Sequence, residues 1–265
     1  MLATMYVCVT DVVYVGSINP QHLPVGEQVL RAGKALLVEK PMGLNHRQTE
    51  QLVTLARSQG VFLMEALWSR FLPAYSHLRQ EISRGAVGEV SHVEASFGFP
   101  MEVERLSRKD MGGSTILDIG IYTLNAVCMA YGDLSPEKVV ALGNLNSEGV
   151  DESVTASLKF GPRQLASIST SAYCKLPCDL VVTGTRGQLK LLDPFWCPTK
   201  LQLPSGEIME FPMPEPSRPC NYINSGGLCY QAQEVRRCLQ QGRSSYFLSP
   251  LNHIRNSAFA GPKPG

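Results

Sequence analysis

Three short apolar runs, separated by two helical patterns, constrain the fold of this chain more than any other feature of its sequence. They lie at residues 12–15, 35–38 and 61–64. The first helical pattern stops at Gly33, and the second begins after Asn45, a residue type that caps helix N-termini well. Because short apolar strands that alternate with helices form βαβ units, we predict a parallel sheet in this part of the chain.

The pattern changes after residue 66, where most segments are predicted to be strands. Apolar and polar residues alternate over residues 154–158, which is typical of an antiparallel sheet with one covered face. The predicted strands are residues 90–99, 139–145, 153–160, 164–171, 180–183 and 188–192, and the predicted helices are residues 75–83, 116–131 and 230–240. We therefore expect an α/β domain over residues 1–66 and an α+β domain over residues 67–265, with a large, mostly antiparallel, open-faced sheet.

The composition narrows the class of partner. The chain has 265 residues, 44% of them hydrophobic, and a formal net charge of +1, which describes a folded protein. Without a basic excess, neither nucleic acid nor an anionic membrane surface is expected as a partner, so we expect a small-molecule substrate. The eight cysteines form no Cys-x-x-Cys pair and the histidines do not cluster, so we expect free thiols, no metal site and a cytoplasmic protein.

Glu39 and Lys40 follow the second apolar run, at the edge where open α/β sheets place their ligands. A partly desolvated lysine in such a crevice acts as a charge partner or as a proton donor. The alternative is that Lys40 is a strand-end lysine in solvent.

Asp118 and Tyr122 stand four residues apart in an otherwise apolar helical stretch, so their side chains share one face of the helix. A phenol with a pKa of about 10 is a poor acid or base at neutral pH, but a nearby ammonium group such as that of Lys40 lowers this pKa. The alternative is a structural pair, in which Tyr122 packs in the core and Asp118 makes a local hydrogen bond.

Trp68 and Arg70 lie where the pattern changes between the two parts of the chain. An aromatic ring and a guanidinium group at such a junction can line a pocket or bind a phosphate. Equally, Trp68 can be a packing residue at a hinge and Arg70 can form an interdomain salt bridge.

Four segments of the sequence, in this order, resemble the glucose–fructose oxidoreductase (Gfo/Idh/MocA) family. They are YVGSINPQH at residues 14–22, GKALLVEKP at residues 33–41, MEALWSRF at residues 64–71 and LDIGIY at residues 117–122. Most of the family carries histidine where this chain has Tyr122, and tyrosine is characteristic of the branch that oxidises trans-dihydrodiols. The resemblance covers roughly residues 11 to 243.

The resemblance implies an NADP-dependent oxidoreductase that oxidises CH–OH groups of aromatic trans-dihydrodiols and of pentoses such as D-xylose, and that reduces carbonyls in reverse. It implies that Tyr122 transfers the proton, that Lys40 lowers the pKa of this phenol and that Asp118 fixes the local geometry. Trp68, Phe97 and Tyr122 are expected to contact the substrate. The residues that the resemblance places at the cofactor are Tyr14, Asn19, His22, Glu39, Lys40, Trp68, Arg70 and Asp118.

Members of this family begin their nucleotide-binding domain with a strand, a glycine-rich turn and a helix, and nothing before Tyr14 provides them. Residues 1–66 are therefore expected to form a truncated Rossmann domain that lacks its first half. Residues 67–265 are expected to bind the substrate and to form a homodimer through their sheet, as other members do. The alternative to an active enzyme is a catalytically inactive truncated isoform that acts at most as a self-associating sheet domain.

Overall fold

The computed structural model describes residues 10–243, so Cys8, His253 and the tail from residue 244 lie outside the described residues. The strands are β1 Val12–Val15, β2 Ala35–Glu39, β3 Leu63–Ala66, β4 Val90–Gly98, β5 Lys138–Leu145, β6 Asp151–Gly161, β7 Gln164–Ser171, β8 Leu180–Gly184, β9 Gly187–Leu191, β10 Lys200–Gln202 and β11 Ile208–Glu210. The helices are α1 His22–Arg31, α2 His46–Gln59, α3 Pro73–Ser83, α4 Glu104–Ser107, α5 Ile121–Ala130 and α6 Leu228–Gln240. Short helical turns cover Asn19–Gln21, Trp68–Phe71, Ile116–Gly120 and Ser225–Gly227.

The first sheet is parallel, as the alternation of runs and helices predicts, with the strand order β1-β2-β3. The first four residues of β2 are apolar and buried because both faces of the strand are covered. Helices α1 and α2 pack on one face, and α6 packs on the other through Val235. The third strand begins at Leu63, two residues later than predicted, because the Val61 N–H still bonds to the Ala56 carbonyl at the end of α2.

Helix α2 begins where the sequence predicts, and local hydrogen bonds stabilise its first turn. Asn45 Oδ1 accepts the backbone N–H of Gln48 at 3.1 Å, and Gln48 Oε1 accepts the backbone N–H of Leu44 at 2.8 Å. Gly60 follows the helix with a φ of 64°, a left-handed conformation that glycine adopts without strain.

The second sheet has eight strands in the order β11-β10-β9-β8-β4-β7-β6-β5. Only the β4–β7 pair is parallel among the strand pairs of this described sheet, which confirms the predicted mostly antiparallel architecture. Helices α3 and α5 cover one face, where residues such as Tyr75, Leu124 and Leu158 form the core. Strands β10 and β11 were not predicted, because three residues are too few to show an alternation.

The helix predicted over residues 116–131 is interrupted near its start. Ile116–Gly120 forms a π-helical turn, and the α-helical part, α5, begins at Ile121. Single π-helical turns inside helices occur frequently at functional sites. This turn carries Asp118 and places it next to the first turn of α5, where Tyr122 lies.

Candidate active site

Lys40 and Asp118 form an ion pair at the carboxyl end of β2. The Lys40 Nζ donates to Asp118 Oδ1 at 2.9 Å and to the Asp118 carbonyl oxygen at 2.7 Å. Their side chains are only 15% and 11% exposed, so solvent screens this pair weakly. The structure thus joins two candidate residues, one from each predicted domain.

Tyr122 lies beside this ion pair. The Lys40 Nζ is 5.3 Å from the centroid of the Tyr122 ring, within the range of a cation–π interaction. The Trp68 Nε1 donates a hydrogen bond to Tyr122 Oη at 3.1 Å. Lys40, Trp68, Asp118 and Tyr122, which the sequence places at the site, therefore come together in the folded chain.

Lys40 and Asp118 keep each other charged. Burial disfavours the Asp118 carboxylate, but the cations of Lys40 and Arg105 outweigh it and hold the pKa of Asp118 below its usual range. Burial likewise disfavours the Lys40 ammonium, but Tyr122 and Asp118 outweigh it and raise the pKa of Lys40. Both side chains are therefore ionised at neutral pH.

The Tyr122 phenol differs from the sequence-based expectation. Burial is the largest influence on its pKa and raises it, while the Lys40 ammonium and the Trp68 hydrogen bond lower it by less. The Lys40 ammonium thus lowers the pKa of this phenol as expected, but the burial of Tyr122, which is only 7% exposed, outweighs that effect. At neutral pH, Tyr122 holds its proton and is a proton donor.

The aromatic wall of the site is formed differently from the prediction. Phe97 is only 3% exposed, stacks on Trp196 with ring centroids 3.9 Å apart and meets the Tyr122 ring edge-on at 5.8 Å. Phe97 is buried behind these rings, and its predicted contact with the substrate stays a prediction. Trp196 and Trp68 are both partly exposed. Sequence reasoning did not assign Trp196, although it is one of only two tryptophans in the chain.

Tyr14 and Glu39 lie at the same sheet edge and remain accessible. Tyr14 is 57% exposed, and its hydroxyl donates to Glu39 Oε1 at 2.7 Å. Glu39 Oε2 accepts the backbone N–H of Lys40 at 3.1 Å. The cofactor contacts of these two residues stay a prediction.

His22 and Asn19 connect loops around the site. His22 is fully buried, with Nδ1 2.7 Å from the Pro41 carbonyl oxygen and Nε2 2.9 Å from the Ser17 carbonyl oxygen. Both ring nitrogens of His22 therefore face backbone carbonyl oxygens, and the cofactor contact of His22 stays a prediction. The Asn19 Nδ2 donates to the Gly112 carbonyl oxygen at 3.0 Å, so this amide ties the loop after β1 to the loop before α5.

Arg70 is engaged away from the ion pair of Lys40 and Asp118. It is only 7% exposed, and its guanidinium donates to Asn125 Oδ1 at 2.5 Å and to both carboxylate oxygens of Asp133 at 2.9 and 3.0 Å. The salt bridge with Asp133 lies within the second part of the chain, so the alternative of an interdomain salt bridge is wrong. The cofactor contact of Arg70 stays a prediction.

Within residues 10–243, no three His, Cys, Asp or Glu side chains lie close enough together to hold a metal ion. No helix of this range is long and apolar enough to cross a membrane. The seven cysteines in the range are free thiols, and burial raises the pKa of Cys128 and of Cys197 to about 12. Thiols with such a pKa are poor nucleophiles.

Two family models match the chain. The model described as an oxidoreductase family with an NAD-binding Rossmann fold matches residues 3–67. The model described as a GFO/IDH/MocA C-terminal domain matches residues 75–190. The first match contains Lys40, and the second contains Asp118 and Tyr122, so both sides of the ion pair lie in matched segments.

Curated relatives carry the name trans-1,2-dihydrobenzene-1,2-diol dehydrogenase. The protein of Danio rerio is 42% identical over 233 residues, which cover 88% of this chain and 70% of the relative. The protein of Sus scrofa is 41% identical over 234 residues, with the same coverage of 88% and 70%. The human protein is 38% identical over 243 residues, which cover 91% and 72%.

Solved structures of oxidoreductases share the fold. An aldose–aldose oxidoreductase from Caulobacter crescentus, in complex with glycerol, matches with a TM-score of 0.76 and 25% identity, over 92% of this chain and 73% of that one. A 3-ketoreductase from Actinomadura kijaniata, in complex with NADP, matches with a TM-score of 0.75 and 23% identity, over 92% and 75%. Together with the family models and the curated relatives, these matches show that the chain belongs to the Gfo/Idh/MocA family of nicotinamide-dependent oxidoreductases.

Proposed function

We propose that the chain is an NADP-dependent oxidoreductase that oxidises CH–OH groups of aromatic trans-dihydrodiols and of pentoses such as D-xylose, and reduces the corresponding carbonyls. The observation that carries the proposal is the convergence of Lys40, Asp118 and Tyr122 beside the Trp68 indole. The names of the curated relatives support the dihydrodiol as substrate, and the NADP complex of a structural neighbour supports the cofactor.

In this proposal, Tyr122 moves the hydroxyl proton. The oxidative direction requires the Tyr122 phenolate, which takes up the O–H proton of the carbinol while the C–H bond breaks with its electron pair and a C=O bond forms. In the reductive direction, Tyr122 gives its proton to the carbonyl oxygen, which suits a phenol that is protonated at neutral pH. Lys40 stabilises the phenolate that remains, and Asp118 holds Lys40 in place.

The residues present fit the nicotinamide end of the cofactor. The site lies at the carboxyl edge of a parallel sheet, where such folds bind dinucleotides, and Tyr14 and Glu39 are accessible there to hold it. When bound, the cofactor accepts or supplies the hydride. Lys40 and Arg105 carry one positive charge each and Asp118 and Glu39 one negative charge each, so these four side chains together contribute no net charge against an NADP⁺ ring.

The walls of the site fit an aromatic substrate. Trp68 and Trp196 are partly exposed, and Phe97 supports Trp196 from behind by stacking at 3.9 Å. Flat aromatic surfaces favour an aromatic or cyclic diol through offset stacking and burial of apolar area. The hydroxyl of Tyr122 adds a polar group at the edge of these rings.

The test compares Tyr122→Phe with the wild-type chain in NADP⁺ reduction by a trans-dihydrodiol and by D-xylose. Because general acid–base groups contribute about 10² to 10⁴ in rate, we expect kcat to fall by at least about 100-fold. The dissociation constant of NADPH, measured by fluorescence titration, is expected to change by less than about threefold. Such a change is well below a factor of 10, which corresponds to 1.4 kcal/mol.

Tyr131→Phe is the matched control. Tyr131 follows the same helix, and its hydroxyl donates to the Leu165 carbonyl oxygen at 2.6 Å, away from the ion pair. We expect this variant to keep its turnover per folded molecule. A Tyr122→Phe protein with the wild-type rate contradicts the role of Tyr122, and a folded wild-type chain that neither binds NADPH nor turns over supports the non-enzymatic alternative.

We also propose that the chain forms a homodimer through the open face of the second sheet. Val140, Leu142 and Leu165 project from this face and are 58%, 82% and 50% exposed. They alternate with core-facing residues along β5 and β7, so they share the side of the sheet opposite to α3 and α5. Exposed apolar side chains on a flat sheet face are suited to packing against a second copy.

A further inference from the structure

Arg105 reaches the catalytic ion pair from a segment that the sequence did not assign to the site. It lies on α4, in the connection between β4 and the π-helical turn. The Arg105 Nη1 donates to Asp118 Oδ1 at 3.1 Å, and the Lys40 Nζ donates to the same oxygen at 2.9 Å. One carboxylate oxygen therefore bridges two cations that come from different parts of the chain.

Two hydrogen bonds hold the part of the connection that directly follows Arg105. The Asn146 Nδ2 donates to the Ser107 carbonyl oxygen at 2.8 Å, and the Asn19 Nδ2 donates to the Gly112 carbonyl oxygen at 3.0 Å. The backbone next to Arg105 is therefore attached to two other loops, one from each part of the chain.

The charged and titratable groups that face Asp118 are Lys40, Arg105 and Tyr122. Both cations favour the ionised carboxylate, and Arg105 is the second of them in its effect on the pKa of Asp118. The Arg105 side chain is 42% exposed, whereas that of Asp118 is 11% exposed, so solvent weakens the effect of Arg105 without removing it.

We propose that Arg105 is a positioning residue, which through the shared oxygen keeps the Asp118 carboxylate ionised and aligned with Lys40. The proposal rests on the proposed roles of Lys40 and Tyr122. When the guanidinium is removed, the carboxylate is less stable relative to the carboxylic acid, so Asp118 takes up a proton at a higher pH. The ion pair with Lys40, and the activity that depends on it, is then lost earlier as the pH falls.

The test uses Arg105→Gln and two measurements. The acid limb of the pH profile of kcat/KM is expected to move to higher pH by about 0.5 to 1 unit, the lower end of the effect of a neighbouring opposite charge. The carboxyl carbon signal of Asp118, assigned by its loss in Asp118→Asn, is expected to shift its titration by the same amount in nuclear magnetic resonance spectra. Arg105→Lys keeps a cation on the loop. Its titration of Asp118 is therefore expected to shift from that of the wild type by no more than half as much as in Arg105→Gln.

Arg108→Gln is the matched control, because Arg108 lies in the same connection, is 43% exposed and pairs with Glu104 and Asp110 instead of Asp118. It is expected to leave the titration of Asp118 unchanged. The proposal is overturned if Arg105→Gln titrates like Arg108→Gln or if Arg105→Lys shifts as far as Arg105→Gln. A wild-type chain without turnover counts against the proposed function alone, since the carbon titration still decides the role of Arg105.

Discussion

At Tyr122, one hydrogen bond decides where the hydroxyl proton points. Trp68 Nε1 donates to the phenol oxygen, so that oxygen already has a donor. The hydrogen bonds of residues 10–243 include no protein acceptor for the phenol's own proton. The proton is therefore available for a substrate oxygen, which is what the proposed role of Tyr122 as a proton donor requires.

Replacing Arg70 distinguishes between two roles of this residue, a structural salt bridge and a contact with the cofactor. We expect Arg70→Met to lower the free energy of unfolding by about 2 kcal/mol, because Asp133 is left without its guanidinium partner. The expected loss is smaller than for a fully buried pair, because the Asp133 side chain is 32% exposed. Urea unfolding followed by circular dichroism measures this change.

The second measurement is an NADPH titration of the folded Arg70→Met protein. The affinity of this variant for NADPH is expected to stay within about threefold of that of the wild type, well under the tenfold change that 1.4 kcal/mol represents. If the stability were unchanged and NADPH binding were lost, Arg70 would be a cofactor ligand after all. The double variant Arg70→Met/Asp133→Asn serves as the control, because Asn carries no charge and tolerates the left-handed backbone of Asp133, whose φ is 61°. It is expected to recover part of the stability, because it no longer leaves an uncompensated carboxylate.

Elements whose signals are local were predictable from the sequence. The N-cap at Asn45, the left-handed Gly60 and the apolar run of β2 each act within a few neighbouring residues. The π-helical turn around Asp118 was not predictable, because its residues have the same apolar pattern as the α-helix that follows. The loop after β2 shows the same limit, since the distant side chain of Glu65 accepts the Met42 N–H at 2.7 Å.

The cap of α2 gives a prediction at the scale of one element. Asn45→Ala removes the acceptor for the Gln48 N–H and is expected to lower the free energy of unfolding by about 1 kcal/mol. Asn45→Asp, which keeps an acceptor oxygen at the cap, is the control and is expected to retain most of the stability. Thermal unfolding of the three proteins measures the difference, and equal stability of Asn45→Ala and wild type contradicts the prediction.

For the whole molecule, the active site exists only where the two sheets meet. Lys40 and Asp118 are 78 residues apart in sequence, and Trp68 and Tyr122 are 54 apart. Periodicity predicts each sheet separately, because it reports which face of an element is buried. It carries no information on which residues of the two parts meet. The spacing in the sequence placed Asp118 and Tyr122 on one face and left Lys40 as one possible neighbour, and the family resemblance then assigned all three residues to one site. The sequence did not assign Trp196 or Arg105 to the site, and only the folded structure places them next to it.

The open face of the second sheet has the size that a stable dimer needs. The eight strands hold 52 residues, which at about 3.3 Å per residue and about 4.8 Å between strands present a face of roughly 820 Å², similar to the ~800 Å² that each partner buries in a stable complex. Between the exposed apolar residues, the small hydroxyl side chains of Thr155, Ser157 and Ser169 keep this face nearly flat. A flat face with apolar side chains near one side fits a second copy turned by a two-fold axis.

Leu142→Lys tests this assembly, because a charge at the most exposed apolar position of the face is harmless in a monomer and unfavourable in a dimer. We expect the dissociation constant, measured by sedimentation equilibrium, to rise by at least about 10-fold, which corresponds to 1.4 kcal/mol. The free energy of unfolding of the monomer is expected to change by less than about 0.5 kcal/mol, as for other surface substitutions.

Leu134→Lys, at a 52% exposed leucine outside the sheet, is the control that should leave association unchanged. Since the ion pair of Lys40 and Asp118 lies within one chain, a monomeric Leu142→Lys protein should keep its turnover. A wild-type chain that is monomeric at all concentrations, or a Leu142→Lys protein that associates as wild type does, rules out this face as the dimer interface.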